Sequence, residues 1–410
     1  MLPEIKPVLS NHDIMVDSLT GIKVSALADK FAQMKLPAAK CVSGLLSAIL
    51  QDTKERDDIL SNLDFIIEMA SHPKLGLKDI LFSEALPSGK PGLQDFVHAL
   101  IRHQISEKKI DADSLAKVQS KKLSDSKSPA EFILYCNAAR TRSSTVVHNK
   151  NEYVDSCPIC IENFKTSGKK VWFWRNYYLF GNHAPIVPNH LMITYKKHGL
   201  QSMDRQFIED IIDLNFMFEN SRPYFNRPGS LDKHRHVQAF SGKFPIEDIK
   251  LIPIGRTGVS EFAPNYPATG FVVEGKDKKK VSLFANKIME LCDSKQKQGS
   301  EQYIPFYLVF AKKDNIARVF IFPKFKWKAN TFPKDINLYN GSPEGQKNNF
   351  IIIPASVETA GRGSTSDLST FERMTYSDYC NVLKDTSVPT EELQFIRDAV
   401  LKGEYNPCTS

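Results

Sequence analysis

The stretch His234-Arg-His236-Val-Gln238 decides the fold and the chemistry expected of this chain. Side chains alternate faces along a strand, so a strand here places two imidazoles and a carboxamide on one side. An imidazole is a good nucleophile toward phosphorus, because it attacks in its neutral form, carries the group as a phosphoramidate and leaves again. A neighbouring glutamine can hydrogen-bond the transferred phosphoryl oxygens or hold the ring. The alternative is a histidine-rich surface strand without chemistry, and the pattern alone is compatible with both.

A second motif, Cys157-Pro-Ile-Cys160, is half of a zinc site, because its spacing lets both thiolates reach one ion. By itself the pair is equally compatible with a redox pair or with two unconnected cysteines. A tetrahedral site needs two more ligands, and histidines are the best candidates. We expect them to be His198, which follows a predicted strand over 191–195, and His234.

Such a Cys2His2 set would be closed and structural, with no open position for water. It would also fix the strand that carries His236. His190 competes for the third ligand position. Its place at the start of a strand favours a packing or hydrogen-bonding role instead.

Composition limits the class of protein and its partners. The chain has 410 residues, of which 41% are hydrophobic and 25% charged, as is typical of globular proteins. Its length allows two domains, or one large domain with a helical extension. The net charge of +7 suits an anionic small molecule at least as well as nucleic acid. The basic runs at 278–280 and 324–328 are short, so we expect no nucleic-acid partner.

Cysteine usage and hydropathy indicate the compartment. The spacing of the seven cysteines does not suggest a disulfide framework, and an odd number in a chain of this size favours a reducing environment. No stretch approaches 18 consecutive apolar residues, and the first residues contain no apolar signal region. We therefore expect a cytoplasmic protein without a membrane partner.

Hydrophobic periodicity predicts an α+β fold, with an antiparallel sheet covered on one side by helices. Residues from about 20 to 120 are predicted to be helical, including the segment 92–103, and the run Lys117 to Lys127 is predicted to be a polar linker. The remaining predicted helices are 205–218, with Asp204 as its N-cap, 282–292, and 390–401 with Thr390 as its cap. The predicted strands are 171–174, 191–195, 271–273, 306–310, 319–322 and 350–353.

A group of motifs in this order resembles the histidine-triad (HIT) superfamily. The segment Asn182 to His198 resembles its ribose-contacting turn, strand and post-strand histidine. The pattern His234-x-His236-x-Gln238 resembles the branch of galactose-1-phosphate uridylyltransferase and diadenosine tetraphosphate phosphorylase, in which glutamine replaces the third histidine. With Cys136-Asn-Ala-Ala-Arg140 and Cys157-x-x-Cys160, the order is most similar to an uncharacterised bacterial family of that branch.

The resemblance implies an organisation. It predicts a helical N-terminal region over 1–125 and a HIT-like, uridylyltransferase-like domain over 126–410. The first half of that domain would span about 130–255. The second half, about 256–410, has strands but no second His-x-His and would be degenerate, which gives one active site per chain. Because relatives pair two half-barrels by duplication or dimerisation, a homodimer is one expected assembly.

The resemblance also implies roles for single residues. His236 matches the nucleophile that becomes a covalent nucleotidyl-histidine, and Gln238 matches the residue that contacts the phosphoryl oxygens. Asn182 matches the side chain that holds the ribose hydroxyls. The residues that match the ligands of a structural zinc are Cys157, Cys160, His198 and His234.

Three further residues are candidates for binding the nucleotide. In relatives a serine in the loop before the first histidine contacts the phosphate of the incoming or departing group. Here the loop is shortened, and Ser230 stands one place early with Leu231 where serine is usual. Arg140 and Lys324 are chosen on charge, as cations able to neutralise the remaining phosphates.

Together these features predict an enzyme that transfers a nucleoside monophosphate through His236. Its donor would be a nucleoside diphosphate sugar or a dinucleoside polyphosphate, and its acceptor phosphate, a sugar phosphate or water. A covalent intermediate implies ping-pong kinetics. The alternative hypothesis is a catalytically silent protein that binds nucleotides or serves as an interaction scaffold on the same fold.

Overall fold

The structure is a computed structural model, which describes residues 93–106, 108–110, 115–126, 128, 130–138, 157, 159–160, 171–182, 185–199, 201–226, 234–297, 306–324 and 350–402. The chain divides into two compact units. The smaller unit comprises Met1–Ile110, Pro158–His183 and Leu191–Lys197, and the larger comprises Asp111–Cys157, Ala184–His190 and His198–Ser410. The helices predicted before residue 92 lie outside the described residues, so the domain boundary at 125 stays a prediction.

The described residues combine helices with mostly antiparallel strands, which confirms the predicted α+β class. The strands are β1 (Gln119–Leu123), β2 (Phe132–Cys136), β3 (Trp172–Trp174), β4 (Tyr177–Gly181), β5 (Leu191–Tyr195), β6 (Ser221–Asn226), β7 (His236–Ser241), β8 (Leu251–Pro253), β9 (Val259–Phe262), β10 (Phe271–Gly275), β11 (Phe306–Lys313), β12 (Ile316–Pro323) and β13 (Arg362–Thr365). The helices are α1 (Leu93–Ser106), α2 (Arg205–Met217), α3 (Lys278–Lys297), α4 (Ser356–Thr359), α5 (Leu368–Arg373), α6 (Tyr376–Thr386) and α7 (Gln394–Leu401), with 3-10 turns at Pro245–Asp248 and Thr390–Leu393.

In the smaller unit, the described residues form an antiparallel sheet of β3, β4 and β5 together with α1. Every residue of β4 is buried. Helix α1 buries Val97, Leu100 and Ile101, whose spacing of three and four residues lines up one face of a helix. The burial of these three residues agrees with the hydrophobic periodicity that predicted a helix over 92–103.

A glycine at the end of β4 lets helix and strand approach closely. The Gly181 N–H donates to the side-chain oxygen of Gln104 on α1 at 2.9 Å. A Cβ atom at Gly181 would lie 2.3 Å from Cδ1 of Ile110 and 2.9 Å from Oε1 of Gln104, so the ends of both side chains would have to move. The glycine thus allows these two side chains to pack closely against the strand.

The larger unit contains a sheet in the order β7-β6-β11-β12-β10-β9-β8, in which all neighbours are antiparallel. One set of alternate residues on β11 and β12 joins a core shared with β2, α4, α5 and α6. Helices α2 and α3 pack against each other and against β11, β10 and β12. The central strands are buried along nearly their whole length, so both faces of this sheet are covered, not one as predicted.

Several other predicted elements are confirmed. The strands predicted at 171–174, 191–195, 271–273, 306–310 and 319–322 are present, as are the helices at 205–218 and 282–292. Asp204 caps α2, because its carboxylate accepts the Phe207 N–H at 2.8 Å. No helix among the described residues has the length and apolar character that crossing a membrane requires.

Three of the predicted secondary-structure assignments between residues 117 and 401 were wrong. The supposed linker contains β1, an edge strand whose residues are mostly exposed and which pairs with β2. Residues 350–353 form no strand, although Phe350 and Ile352 are buried in the shared core. Thr390 begins a 3-10 turn that precedes α7, and Pro389 occupies the N-cap position without a side-chain hydrogen bond.

Candidate active site and metal centre

The two histidines of the opening motif occupy different structural settings. Strand β7 begins at His236, whereas His234 forms an isolated parallel bridge with Gly199 before the strand starts. Both histidines are buried, with 1% and 2% of their surface exposed. The prediction of one strand through both was therefore wrong for His234, because its backbone pairs with Gly199. It was right for His236 and Gln238, which lie two residues apart on β7 and face the same side.

The four predicted metal ligands come together. The ligand atoms of Cys157, Cys160, His198 and His234 all lie within 4.8 Å of one another. Cys157 Sγ lies 3.4 Å from His234 Nδ1, and the rings of His198 and His234 have centroids 5.1 Å apart. Cys160 follows Cys157 by three residues, and this short spacing places both sulfur atoms in the same cluster of ligand atoms.

The chemistry of this donor set fits a metal ion. Two sulfurs and two imidazole nitrogens are a standard tetrahedral set for zinc, in which metal–ligand bonds of about 2.0–2.3 Å hold the ligands about 3–4 Å apart. With four protein ligands, no coordination position would be left for water or substrate. A Cys2His2 cluster that could hold a metal is therefore present, and its composition is that of a structural site.

The tautomer of His236 follows from one hydrogen bond. Its Nδ1 lies 2.8 Å from the backbone carbonyl oxygen of His234. A carbonyl oxygen can only accept, so Nδ1 carries the proton. In the neutral ring, Nε2 then carries the lone pair, and this is the nitrogen able to attack phosphorus.

The carbonyl end of Gln238 is held by two donors. His190 Nε2 lies 2.8 Å from Gln238 Oε1, and the Tyr224 hydroxyl donates to the same oxygen at 2.9 Å. His190 Nδ1 accepts the Ile186 N–H at 3.1 Å, which places the ring proton on Nε2. Because both donors engage Oε1, the amide nitrogen is at the opposite end of the carboxamide. His190 thus has the hydrogen-bonding role predicted for it and is not part of the cysteine–histidine cluster.

Sequence reasoning missed Tyr224. Its ring is buried on β6 directly opposite Gln238 on β7, and its hydroxyl also lies 2.8 Å from His190 Nε2. Cross-strand neighbours are the natural contacts of an antiparallel pair. Only the register of β6 on β7 would have revealed this contact.

Two of the four predicted nucleotide-binding residues lie among the described residues. Asn182 is buried immediately after β4, in the smaller unit. Lys324 is fully buried at the end of β12, where its ammonium donates to Thr386 Oγ1 at 3.3 Å. Burial lowers the pKa of Lys324 to about 7, although the nearby Glu358 carboxylate acts in the opposite direction. Arg140 and Ser230 lie outside the described residues.

Three solved structures of one yeast enzyme have a similar fold. The structure of yeast Ap4A phosphorylase Apa2 matches with a TM-score of 0.52 at 12% sequence identity, covering 72% of this chain and 94% of that chain. The same enzyme in complex with Ap4A matches with a TM-score of 0.52 at 12% identity, covering 72% and 97%. In complex with AMP it matches with a TM-score of 0.50 at 13% identity, covering 72% and 95%.

Sequence comparison adds one match. The family model described as a domain of unknown function (DUF4922) matches residues 100–241, a segment that contains both the Cys157-x-x-Cys160 motif and the His234-x-His236-x-Gln238 motif. No curated protein matches the sequence. The comparisons thus show a similarity of fold and assign no role to any single residue.

Proposed function

We propose that the protein is a nucleotidyltransferase or phosphorylase that works through a covalent nucleotidyl-histidine at His236. The observation that carries this proposal is the hydrogen bond from His236 Nδ1 to the His234 carbonyl. It leaves the lone pair on Nε2, beside a glutamine whose carbonyl end is already held. The site therefore combines a nucleophile with a prepared donor for phosphoryl oxygens.

The first half-reaction is an in-line displacement. The lone pair of His236 Nε2 forms a bond to the α-phosphorus of the donor. The bond from phosphorus to the bridging oxygen breaks, and the leaving group departs with that electron pair. The ring becomes a cationic phosphoramidate, and its Nδ1–H remains directed at the His234 carbonyl, which stabilises the positive charge.

The second half-reaction reverses the first with a different oxygen. An acceptor oxygen attacks the same phosphorus and loses its proton if it carries one, and the P–N bond breaks to restore the neutral imidazole. The acceptor would be phosphate in a phosphorylase, a sugar phosphate in a transferase, or water in a hydrolase. In both halves Gln238 donates from its amide nitrogen to the phosphoryl oxygens, whose charge is redistributed in the transition state.

The donor we favour is a dinucleoside polyphosphate, with nucleoside diphosphate sugars as the second class. Support comes from the fold shared with yeast Ap4A phosphorylase, which was crystallised with Ap4A and with AMP. We assign Asn182 to the ribose hydroxyls, and Ser230, Arg140 and Lys324 to the phosphates. The geometry disfavours the assignment of Lys324, because its ammonium is fully buried beside Thr386. A cytoplasmic location and a homodimer remain proposals that accompany this assignment.

We assign a structural zinc ion to Cys157, Cys160, His198 and His234. When bound, such an ion contributes folding energy directly, because its site does not exist in the unfolded chain. It would hold the His234 backbone, whose carbonyl accepts the Nδ1 proton of His236. It takes no part in the bond changes.

A turnover assay tests the reaction class. The protein is incubated with Ap4A and with nucleotide sugars, each in the presence of phosphate, sugar phosphate or buffer alone, and the products are followed by phosphorus NMR. We expect one donor to transfer its nucleoside monophosphate unit with ping-pong kinetics. The product would be a nucleoside diphosphate with phosphate as the acceptor, a nucleotide sugar with sugar phosphate, or a nucleoside monophosphate with water. Tight nucleotide binding without any turnover would contradict the proposal and would favour the silent binding protein.

A further inference from the structure

The backbone of His236 is held by a side chain from outside the strand. Gln201 Oε1 accepts the His236 N–H at 2.8 Å, and Gln201 Nε2 donates to the His236 carbonyl at 2.8 Å. The same Nε2 donates to the Asn226 carbonyl at 3.3 Å. One buried carboxamide thus engages both backbone polar groups of the proposed nucleophile.

The register of the sheet explains why a side chain is needed here. The paired residues of β6 and β7 run from Ser221↔Ser241 to Tyr224↔Gln238. Two residues further in the same register, Asn226 would stand opposite His236. The Gln201 carboxamide contacts both of these residues, so it acts as a strand partner beyond the last paired residues. It can do so because a carboxamide offers the same donor and acceptor as a peptide group.

The residues around the Gln201 carboxamide are themselves held in place by hydrogen bonds. Asn226 is held in turn by α4, because its side-chain oxygen accepts the Ser356 N–H at 3.1 Å and the Ser356 hydroxyl at 2.6 Å. The segment that follows Gln201 is tied to the histidine motif by Arg235, whose guanidinium bonds the Asp204 carboxylate at 2.8 Å. The carboxamide therefore has little freedom to leave its place.

We infer that Gln201 is a positioning residue for nucleotidyl transfer, and this inference rests on the proposed function. His236 is the first residue of β7, and the ends of elements fray unless their backbone groups are satisfied. In-line attack depends on placing Nε2 accurately, and a misplacement of about 1 Å costs on the order of 100-fold in rate. Gln201 fixes the backbone from which the His236 ring projects.

The kinetic test compares Gln201→Met with Gln206→Met. Methionine keeps the length of the side chain but removes its hydrogen bonds to His236. We expect the single-turnover rate of nucleotidyl-enzyme formation to fall on the order of 10- to 100-fold, with nucleotide affinity and bound metal unchanged. Gln206 is an exposed residue of α2 that bonds only within its own helix, to Asp210, in the contacts described, and its variant should keep the wild-type rate.

A spectroscopic test needs no substrate. In protein labelled with nitrogen-15 at histidine, the His236 signal, identified by its loss in His236→Ala, should report the Nδ1–H tautomer. In Gln201→Met we expect a mixture of tautomers and faster exchange of the His236 backbone amide. If the methionine variant melts early, Gln201→Glu, which keeps the acceptor for the His236 N–H and loses the donor, should show the same slower rate and mixed tautomers.

The outcomes separate the two proposals. If the wild-type protein forms no nucleotidyl adduct with any donor, the proposed function is wrong. If Gln201→Met keeps both the wild-type rate and the wild-type His236 signal, the positioning role is wrong. A rate that falls only in proportion to the unfolded fraction, with an unchanged His236 tautomer, would also overturn it, because that is the behaviour of a purely structural residue.

Discussion

His234 and His236 are separated by one residue, yet the structure uses them in opposite ways. The side chain of His234 turns into a group of four converging ligand atoms, and its neighbours there are sulfur and nitrogen. The side chain of His236 directs one nitrogen to a backbone carbonyl, and this leaves the lone pair on the other nitrogen. The first arrangement brings together four possible metal ligands, whereas the second leaves one histidine nitrogen with its lone pair, which is the atom that we propose attacks phosphorus.

The two regions also differ in how they are connected. The metal-ligand cluster consists of four side chains. At the other site, Gln201 holds the backbone of His236, and two further side chains hold the carboxamide of Gln238. The His234 carbonyl links the two sites, since it accepts the Nδ1 proton of His236. This comparison predicts that damage to the cluster destroys the fold, whereas damage to the second site destroys the chemistry alone.

The largest effect is expected from Cys157→Ser. A structural zinc contributes on the order of 10 kcal/mol in small zinc domains, which equals the whole stability of many domains. The variant should lose its metal and melt far below the wild-type protein, as measured by metal analysis and thermal unfolding. Cys380→Ser, a half-buried cysteine outside the cluster, is the matched control and should retain the metal. Full metal content in Cys157→Ser would contradict the assignment of these four residues as the metal ligands.

Next in size is His236→Ala. Removing the nucleophile should lower turnover on the order of 10³-fold or more, because no covalent intermediate can form. Metal content and melting temperature should stay close to those of the wild-type protein, since the His234 ligand is untouched. Steady-state assays beside thermal unfolding check both halves of this expectation. Wild-type turnover in His236→Ala would contradict the proposed mechanism.

A smaller loss is expected from Gln238→Glu. The carboxylate still accepts from His190 and Tyr224, but it replaces the amide donor with a negative oxygen facing the phosphoryl group. We expect kcat/KM to fall on the order of 100-fold without a change in melting temperature. Gln206→Glu on α2 provides the same chemical change away from the site. Equal activity of the two variants would contradict the role of the Gln238 amide.

The smallest effect is expected from Tyr224→Phe. It removes one of two donors to Gln238 Oε1, and a single hydrogen bond contributes about 1 kcal/mol, so kcat/KM should fall about three- to tenfold. His190 continues to hold the carboxamide. A loss as large as that of Gln238→Glu would show instead that Tyr224 alone orients the glutamine.

The sequence predicted the principal residues of both regions. The four residues of the cluster were predicted because few side chains bind zinc, and the Cys-x-x-Cys spacing marks half of the set. Their ligand atoms do converge. The placement of His236 and Gln238 on one side of a strand was predicted because alternation along a strand needs only local geometry.

Tyr224 and Gln201 escaped prediction because their roles depend on tertiary pairing. Tyr224 reaches Gln238 only through the register of β6 on β7, and Gln201 reaches His236 from a segment without regular structure. Neither residue type stands out in the sequence.

The strand β1 was missed for a different physical reason. It is an edge strand whose exposed residues are Lys, Ser and Gln, so it shows neither the apolar alternation nor the β-branched residues that indicate a strand. Its place is given by pairing with the apolar β2.

The measurement that tests the central claim most directly is intact mass at neutral pH after incubation with Ap4A and a panel of nucleotide sugars. The wild-type protein and His236→Ala are compared, and acid is avoided because it hydrolyses a phosphoramidate. We predict one added nucleoside monophosphate on the wild-type protein and none on the variant. An adduct on both proteins, or none on a metal-loaded wild-type protein with any donor, would contradict the assignment of His236 as the nucleophile.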